Sequence, residues 1–271
     1  MIHSGIRTAA ICALFVTALS ASEVKALIVT SGCTGGDFGN QCSLAELTAG
    51  GSFRINDKVF DSWSLSALGI GLPNPPTTNR QVIRVDQIDS LFNPGFTLVD
   101  TANTWRFVND GTKPIDGTGA AQLLDVLVFR VATIDGVARI KDNTLEVTIG
   151  EMLENVPDGS THAQVVEDLR NLPLQKEAVC GLDPNPDPSA CKNSTLMDHK
   201  DFAPVAFLDI TKTISLRADS RGDLAEVDSI TQRFSQVPEP TTLLLVVTAL
   251  AGLGTMRSCQ IRTSRPSRSP R

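Results

Sequence analysis

The sequence contains no tyrosine, only two tryptophans and only three histidines among its 271 residues. Its central part is also poor in basic residues. All 30 acidic residues lie between Glu23 and Glu239, whereas the same span holds only 18 of the 24 basic residues. Nucleic-acid binding requires a positive surface for phosphates, so this composition argues against a nucleic-acid partner. With 41% hydrophobic residues the chain is too apolar for intrinsic disorder and too polar for a membrane protein with several spans.

Residues 1–21 have the pattern of a signal peptide. Arg7 precedes an apolar run that begins at Ala9 and extends to Leu19, and small residues suited to cleavage follow. We therefore expect export, with cleavage after Ala21 or as late as Ala26. The alternative is a retained transmembrane anchor, for which the apolar run is short.

The C-terminal segment 236–271 combines three features in a fixed order. A Pro-Glu-Pro motif is followed by sixteen uncharged residues, 241–256, and then by a tail, 257–271, that is rich in arginine. As a helix these sixteen residues extend about 24 Å, slightly less than the roughly 30 Å hydrocarbon core, so spanning requires local thinning or snorkelling arginines. We predict a transmembrane helix over 241–256, with the arginines cytoplasmic and the acidic body across the membrane. The alternative is a buried C-terminal core helix.

This order of motif, apolar helix and terminal arginines resembles the PEP-CTERM sorting signal of Gram-negative bacteria that make exopolysaccharide. The resemblance implies that the secretion machinery exports the chain, that its tail holds it in the membrane, and that the membrane enzyme exosortase recognises it. It also implies exopolysaccharide as an associated partner. The recognition motif carried over by the resemblance is Val237, Pro238, Glu239 and Pro240. The cytoplasmic basic anchor is Arg257, Arg262, Arg265, Arg268 and Arg271.

The body between the two terminal segments, residues 22–235, is predicted to be a mainly β, β-sandwich-like ectodomain with one or two short helices. Apolar residues alternate with polar ones along 143–149 and along 206–216, where Lys212 interrupts the apolar face. Turn residues at Asp135-Gly136 and at Asp142-Asn143 predict a three-stranded meander over 122–149. We expect a final strand over 224–234.

Further elements are predicted near the start of the body and in its middle. Ser43 and Glu46 have the spacing of a capping box, which predicts a short helix over 44–49. A hairpin is expected over 53–62, with its turn at Asn56-Asp57. A second helical stretch is predicted over His162–Leu172.

The body contains four cysteines, and four cysteines allow three pairings. Their grouping in the sequence favours Cys33–Cys42 and Cys180–Cys191, because export to an oxidising compartment makes disulfides the default. A structural zinc site is the alternative, although no C-x-x-C spacing is present.

No catalytic motif is recognisable, so we expect no enzymatic activity and no cofactor. The sequence lacks G-x-S-x-G and H-E-x-x-H, and the histidines of the body, His162 and His199, lie outside any known motif, His199 in a predicted solvated loop. Asp110 and Asp116 are weak calcium candidates, because the run between them lacks dense acidic spacing. Trp63 and Trp105 are interpreted as core residues, with sugar stacking as the alternative.

These observations favour a non-enzymatic surface or matrix protein sorted by exosortase. Two alternatives remain open: a glycan-binding module assisted by calcium through Asp110 and Asp116, and an exported hydrolase that uses His162 or His199.

Overall fold

The computed structural model describes the β-rich body of the chain. The described residues are 28–34, 41–70, 81–88, 90, 93–109, 121–134, 138–154, 161–172, 174–180, 191–218 and 220–237. The predicted signal peptide, the predicted transmembrane helix, Pro238–Pro240 and the arginine tail lie outside them. Among the described residues no helix is both long enough and apolar enough to cross a membrane.

Fourteen strands and one helix make up the described structure. The strands of its first half are β1 (Ile28–Ser31), β2 (Cys42–Ser43), β3 (Ser52–Ile55), β4 (Lys58–Ile70), β5 (Ile83–Ile88), β6 (Gly95–Asp100) and β7 (Arg106–Val108). Those of its second half are β8 (Ala121–Thr133), β9 (Arg139–Leu153), β10 (His162–Leu169), β11 (Leu174–Cys180), β12 (Thr195–Val205), β13 (Phe207–Ala218) and β14 (Leu224–Val237). The helix α1 covers Leu44–Thr48.

The strands form two antiparallel sheets. The first sheet has the order β1-β3-β4-β8-β13-β10-β11. The second has the order β12-β9-β14-β6-β5-β2, and β7 pairs with β14 beside it. Because alternate residues of each strand point into one shared core, the predicted mainly β, sandwich-like fold is confirmed.

Several local predictions are confirmed. β3 and β4 form the predicted hairpin, with Phe53 opposite Phe60. The strands predicted over 206–216 and 224–234 correspond to β13 and β14. Ser43 caps α1 as predicted, since its side chain accepts from the backbone N–H of Glu46 while the Glu46 carboxylate accepts from the backbone N–H of Ser43.

The predicted meander over 122–149 is wrong. β8 and β9 belong to different sheets, so the chain crosses from one sheet to the other between them. Asp142 and Asn143 form no turn but lie inside β9, where both are buried. Their polar groups find partners on other strands: Asp142 accepts from the backbone N–H of Ser235, and Asn143 donates to Glu167.

The second predicted helix, over 162–172, is also wrong. Residues 162–169 form β10, which pairs with β13 on one side and β11 on the other. Val165 and Leu169 satisfy both the helical and the strand periodicity, and pairing on both edges selects the strand. His199 likewise lies in β12 and not in a loop.

The two halves of the core differ in composition. One half, called here the aromatic half, is filled by Phe53, Phe60, Trp63, Phe96, Phe129 and Phe234, whose neighbouring ring centroids lie 4.7–5.9 Å apart. The other half lies between β10, β11 and β13 of the first sheet and β9 and β14 of the second. It contains five buried polar side chains, called here the polar centre: Asn143, Glu167, Lys176, Lys212 and Gln232.

Candidate functional site

Two disulfides close the two open sides of the sandwich. Cys33 follows β1, at one edge of the first sheet, and bonds to Cys42 in β2, at an edge of the second sheet. Cys180 ends β11, at the opposite edge of the first sheet, and bonds to Cys191, which precedes β12 at the opposite edge of the second. Both pairings agree with the sequence prediction. Each loop of about ten residues contributes on the order of 2–3 kcal/mol to stability.

The first disulfide adjoins the capping box of α1. The Glu46 carboxylate accepts from the backbone N–H of Ser43 at 2.8 Å and from the backbone N–H of Thr34, the residue after Cys33, at 2.7 Å. The Thr34 hydroxyl adds a further bond at 2.6 Å. Burial raises the pKa of Glu46, but these donors outweigh it and lower the pKa to about 2. The carboxylate therefore ties the helix to the segment that carries Cys33.

Both tryptophans lie in the core, which confirms the core interpretation over sugar stacking. Trp63 is 6% exposed and Trp105 is fully buried. The indole N–H of Trp105 donates to Asp125 at 3.0 Å, which satisfies its polar end inside the core. The sequence contains no tyrosine, so neither tryptophan nor tyrosine offers a flat surface to a sugar.

The two histidines of the body are placed differently. His162 is buried at the start of β10, whereas the side chain of His199 is 44% exposed on β12. The Nδ1 atom of His199 lies 2.8 Å from the Thr144 hydroxyl, and its Nε2 atom lies 3.5 Å from an oxygen of Asp201. This order of hydroxyl, imidazole and carboxylate resembles a hydrolytic triad, but it lies on an edge strand with Asp201 78% exposed.

The same edge brings together three side chains that could bind a metal. One ligand atom each from Asp142, His199 and Asp201 lie within 4.8 Å of one another. Sequence reasoning missed this cluster because it placed His199 in a loop and Asp142 in a turn; the available signal was the i, i+2 spacing of His199 and Asp201 on one strand face. Both oxygens of Asp142 already accept from Ser235, through its backbone N–H and its hydroxyl. The calcium candidates Asp110 and Asp116 lie outside the described residues.

The polar centre is the most unusual arrangement in the described structure. Glu167 on β10 is fully buried and lies between two lysines: Lys212 on β13, which its Oε2 atom contacts, and Lys176 on β11, whose Nζ atom lies 2.8 Å from its Oε1 atom. The Asn143 amide donates to Glu167 at 2.6 Å from the opposite sheet. Gln232 contacts both Lys212 and Asn143 and donates to the backbone oxygen of Thr144 at 3.0 Å.

Burial dominates the protonation of this centre. It lowers the pKa of Lys212, although Glu167 acts in the opposite direction. It lowers the pKa of Lys176 to about 8, with repulsion from Lys212 adding to the effect and attraction to Glu167 opposing it. For Glu167, burial alone would raise the pKa, but the two lysines outweigh it and lower the pKa. Two cations thus share one anion in an interior that disfavours charge.

A third buried lysine lies outside the polar centre. Lys58, at the start of β4, contacts the side chain of Gln236 and lies 3.1 Å from Asp57. The Asp57 side chain is 27% exposed, whereas that of Glu167 is fully buried. Sequence reasoning noted Lys212 as a break in an apolar face but identified none of the partners of these lysines.

Comparisons with known proteins extend the description of the fold only. No protein-family model and no curated protein matches this sequence. Among solved structures, the enzymatically active domain of tailspike protein 4 from bacteriophage CBA120 is similar at 11% identity with a TM-score of 0.28. The alignment covers 65% of this chain but only 19% of the tailspike chain.

Two further similar structures are described as carbohydrate-binding modules. TmCBM61, solved in complex with beta-1,4-galactotriose, is 10% identical with a TM-score of 0.25, over 63% of this chain and 87% of that one. A module of the beta-sandwich superfamily is 11% identical with a TM-score of 0.20, over 79% and 98% of the two chains. Similarities of this size carry no inference about what the chain binds or catalyses.

Proposed function

We propose that this chain is an exported, non-enzymatic protein of the cell surface or extracellular matrix, sorted by exosortase through its C-terminal tail. The observation that carries export is the pair of disulfides, one on each side of the sandwich. Such bonds form and persist in oxidising compartments outside the cytosol. Exopolysaccharide is the associated partner that the family resemblance implies.

The position of the sorting motif supports the same proposal. β14 ends at Val237, which pairs with Arg139 of β9, so the first motif residue is also the last residue of the sandwich. Pro238, Glu239 and Pro240 follow at once. Pro238 cannot donate to a strand ladder, so the pairing of β14 ends naturally there. Cleavage within the motif would therefore leave every strand of the described fold in the released product.

The alternatives gain no specific support from the described residues. A hydrolase requires a nucleophile and a base beside a substrate cavity, whereas the Thr144–His199–Asp201 arrangement lies on an exposed edge strand. A glycan-binding surface built on tryptophan is ruled out by the burial of Trp63 and Trp105.

The experiment that tests the proposal follows the full chain in a Gram-negative host with and without its exosortase. We expect the wild-type chain to lose its C-terminal segment near the motif only in the host that has exosortase, and mass spectrometry to find both disulfides in the mature protein. Glu239→Ala should accumulate the uncleaved form, whereas the control Thr241→Ala, just outside the motif, should be processed normally. A cytosolic product in which Cys33, Cys42, Cys180 and Cys191 are all reduced, or processing that ignores both exosortase and the motif, would contradict the proposal.

A further inference from the structure

The polar centre contains two buried lysines and one buried carboxylate. Asp198 on β12 also attracts Lys176, whereas the attraction on Lys212 comes from Glu167. Lys176 and Lys212 are buried with Glu167 as the carboxylate between them, and the remaining members, Asn143 and Gln232, are neutral amides. An unpaired charge in the interior costs several kcal/mol, because the protein replaces its hydration only partly. The fold therefore favours loss of one positive charge from this centre.

Lys212 is positioned to lose its charge by a covalent reaction. Its Nζ atom contacts the carboxamide oxygen of Gln232 and the carboxylate of Glu167. The carboxamide carbon of Gln232 lies one bond beyond that oxygen. An amine, a carboxamide and a buried carboxylate thus meet in one place where water is excluded, between strands of opposite sheets.

We propose that Lys212 and Gln232 become joined by an intramolecular amide bond, formed by condensation of the amine with the carboxamide and release of ammonia. This inference concerns the ectodomain alone and does not depend on the sorting tail. The bond would cross the core from β13 to β14 and link the two sheets in the middle of the sandwich, as the disulfides do at its sides.

The step balances without an oxidant, a reductant or a co-reactant. The neutral Nζ atom of Lys212 attacks the Cδ atom of Gln232, and a new N–C bond forms. The proton released from Nζ passes to Glu167. The Cδ–Nε2 bond of Gln232 then breaks, and the leaving nitrogen takes up that proton and departs as ammonia. Asn143, which contacts Gln232 and donates to Glu167, connects the leaving nitrogen to the carboxylate.

The product explains why two lysines surround one carboxylate. After condensation Lys212 is part of a neutral amide, and Glu167 retains Lys176, 2.8 Å away, as its cation. The centre then holds one positive and one negative charge. Burial lowers the pKa of Lys212, which favours the neutral amine that the attack requires.

The third buried lysine, Lys58, provides an internal contrast. Lys58 also contacts a glutamine side chain, Gln236, but its carboxylate neighbour Asp57 is partly exposed and lies at a turn. The Glu167 side chain is fully buried, whereas the Asp57 side chain is 27% exposed, so proton transfer at Lys58 is less well enclosed. We therefore assign the bond to Lys212 and not to Lys58.

The test is the mass of the purified, fully reduced chain with both termini mapped. We expect a mass about 17 Da below that calculated from the sequence, the mass of one ammonia. Proteolysis and fragmentation should yield one branched peptide that joins the segments around Lys212 and Gln232. An intact mass equal to the calculated value would overturn the proposal and leave the polar centre as a non-covalent network. A branch at another pair of residues would overturn the assignment.

Variants separate the proposed chemistry from other causes of a mass deficit. Lys212→Arg and Glu167→Gln should both restore the calculated mass, because the first removes the nucleophile and the second removes the proton acceptor. The matched control Lys58→Arg should retain the deficit. A deficit that persists in Lys212→Arg would contradict the proposal, and the wild-type measurement decides alone if a variant fails to fold.

Discussion

The two halves of the core fill the same space between the same two sheets by different means. In the aromatic half, Phe96 of the second sheet contacts the rings of Phe53, Phe60, Trp63 and Phe129 of the first at centroid distances of 5.2–5.8 Å. In the polar centre the same two sheets meet through lysine, glutamate and amide groups. The halves adjoin at Phe129, whose ring centroid lies 6.0 Å from the Nζ atom of Lys212.

The two halves of the core differ in what they contribute, the aromatic half to the stability of the fold and the polar centre to its specificity. Aromatic packing is only weakly directional, so its contribution depends mainly on the area buried and on the absence of voids. In the polar centre each group is satisfied only by particular partners, and a buried ion pair adds little net stability relative to apolar residues of the same size. We therefore expect the aromatic half to supply most of the free energy of folding and the polar centre to determine how the sheets align.

The largest effect is expected from truncation in the aromatic half. Phe96→Ala removes the ring that contacts four neighbours and should lower the free energy of unfolding by about 4 kcal/mol. Phe207→Ala is the control, because Phe207 is 43% exposed and its ring lies beneath the Arg130 guanidinium, 5.1 Å from the ring centroid. The loss should stay below about 1 kcal/mol. Urea unfolding measures both. Equal losses would show that the aromatic half is not the main source of stability.

A somewhat smaller effect, about 3 kcal/mol at neutral pH, is expected from Glu167→Gln, because it leaves buried Lys176 without its anion. The loss should shrink at alkaline pH. Lys176 has a folded-state pKa of about 8, below its usual 10.5, so the unfolded chain binds more protons between these values and stability rises with pH through that window. Removing the carboxylate strengthens this dependence. The variant should therefore recover the charge-dependent part of its loss as pH rises toward 10.5, and the missing amide bond between Lys212 and Gln232 accounts for the part that remains.

The control for this variant is Glu177→Gln, the same substitution at an exposed position beside Lys176 on β11. It should change stability by less than about 0.5 kcal/mol at any pH between 7 and 10. If Glu167→Gln behaves like this control, the buried carboxylate does not neutralise the lysines and the assignment of roles within the polar centre is wrong.

Sequence patterns were sufficient for the class of fold and for several of its local elements. Alternation along β13, the capping box of Ser43 and Glu46 and the grouping of the cysteines depend on residues close together in the chain, and the structure confirms what they predict. Alternation does not state which sheet a strand joins. The crossing between β8 and β9 therefore required partners that are distant in sequence.

The sequence did not reveal the polar centre, again because its members lie far apart in the chain. Lys212 was visible as a charged residue on an apolar face, but its partner Glu167 lies 45 residues away in the sequence. Asn143 looked like a turn residue because its partners, Glu167 and Gln232, are 24 and 89 residues away. A polar residue inside an otherwise regular strand pattern indicates a buried network only once its partners are known.

Sequence periodicity also could not predict which residues of β4 face the core. β4 faces the core with Lys58 and Phe60, and then with Trp63, an interval of three residues. A bulge between Asp61 and Ser64, with Ser62 in the left-handed region at φ 58°, changes the phase. This bulge directs Trp63 into the aromatic half and so keeps it from solvent.

The smallest expected effect extends the comparison to a carboxylate near the surface. Glu46 is held by N–H and O–H donors and not by lysines, so its charge is satisfied without a buried cation. Both carboxylate oxygens of Glu46 accept hydrogen bonds, one from Thr34 and the other from Ser43. Glu46→Gln removes the charge and leaves one acceptor oxygen in place of two, so it should destabilise the fold by about 1 kcal/mol at pH 7. The pKa of Glu46 is lowered to about 2 from 4.5, so the stabilisation is complete above about pH 4.5 and is lost as pH falls through 2. Wild type and variant should therefore approach one another in urea unfolding as pH falls through 2, whereas the control Asp168→Asn, at an exposed position, should differ from wild type by less than about 0.5 kcal/mol throughout. A difference between Glu46→Gln and wild type that stays constant down to pH 2 would mean that the amide geometry, and not the charge, stabilises the start of α1.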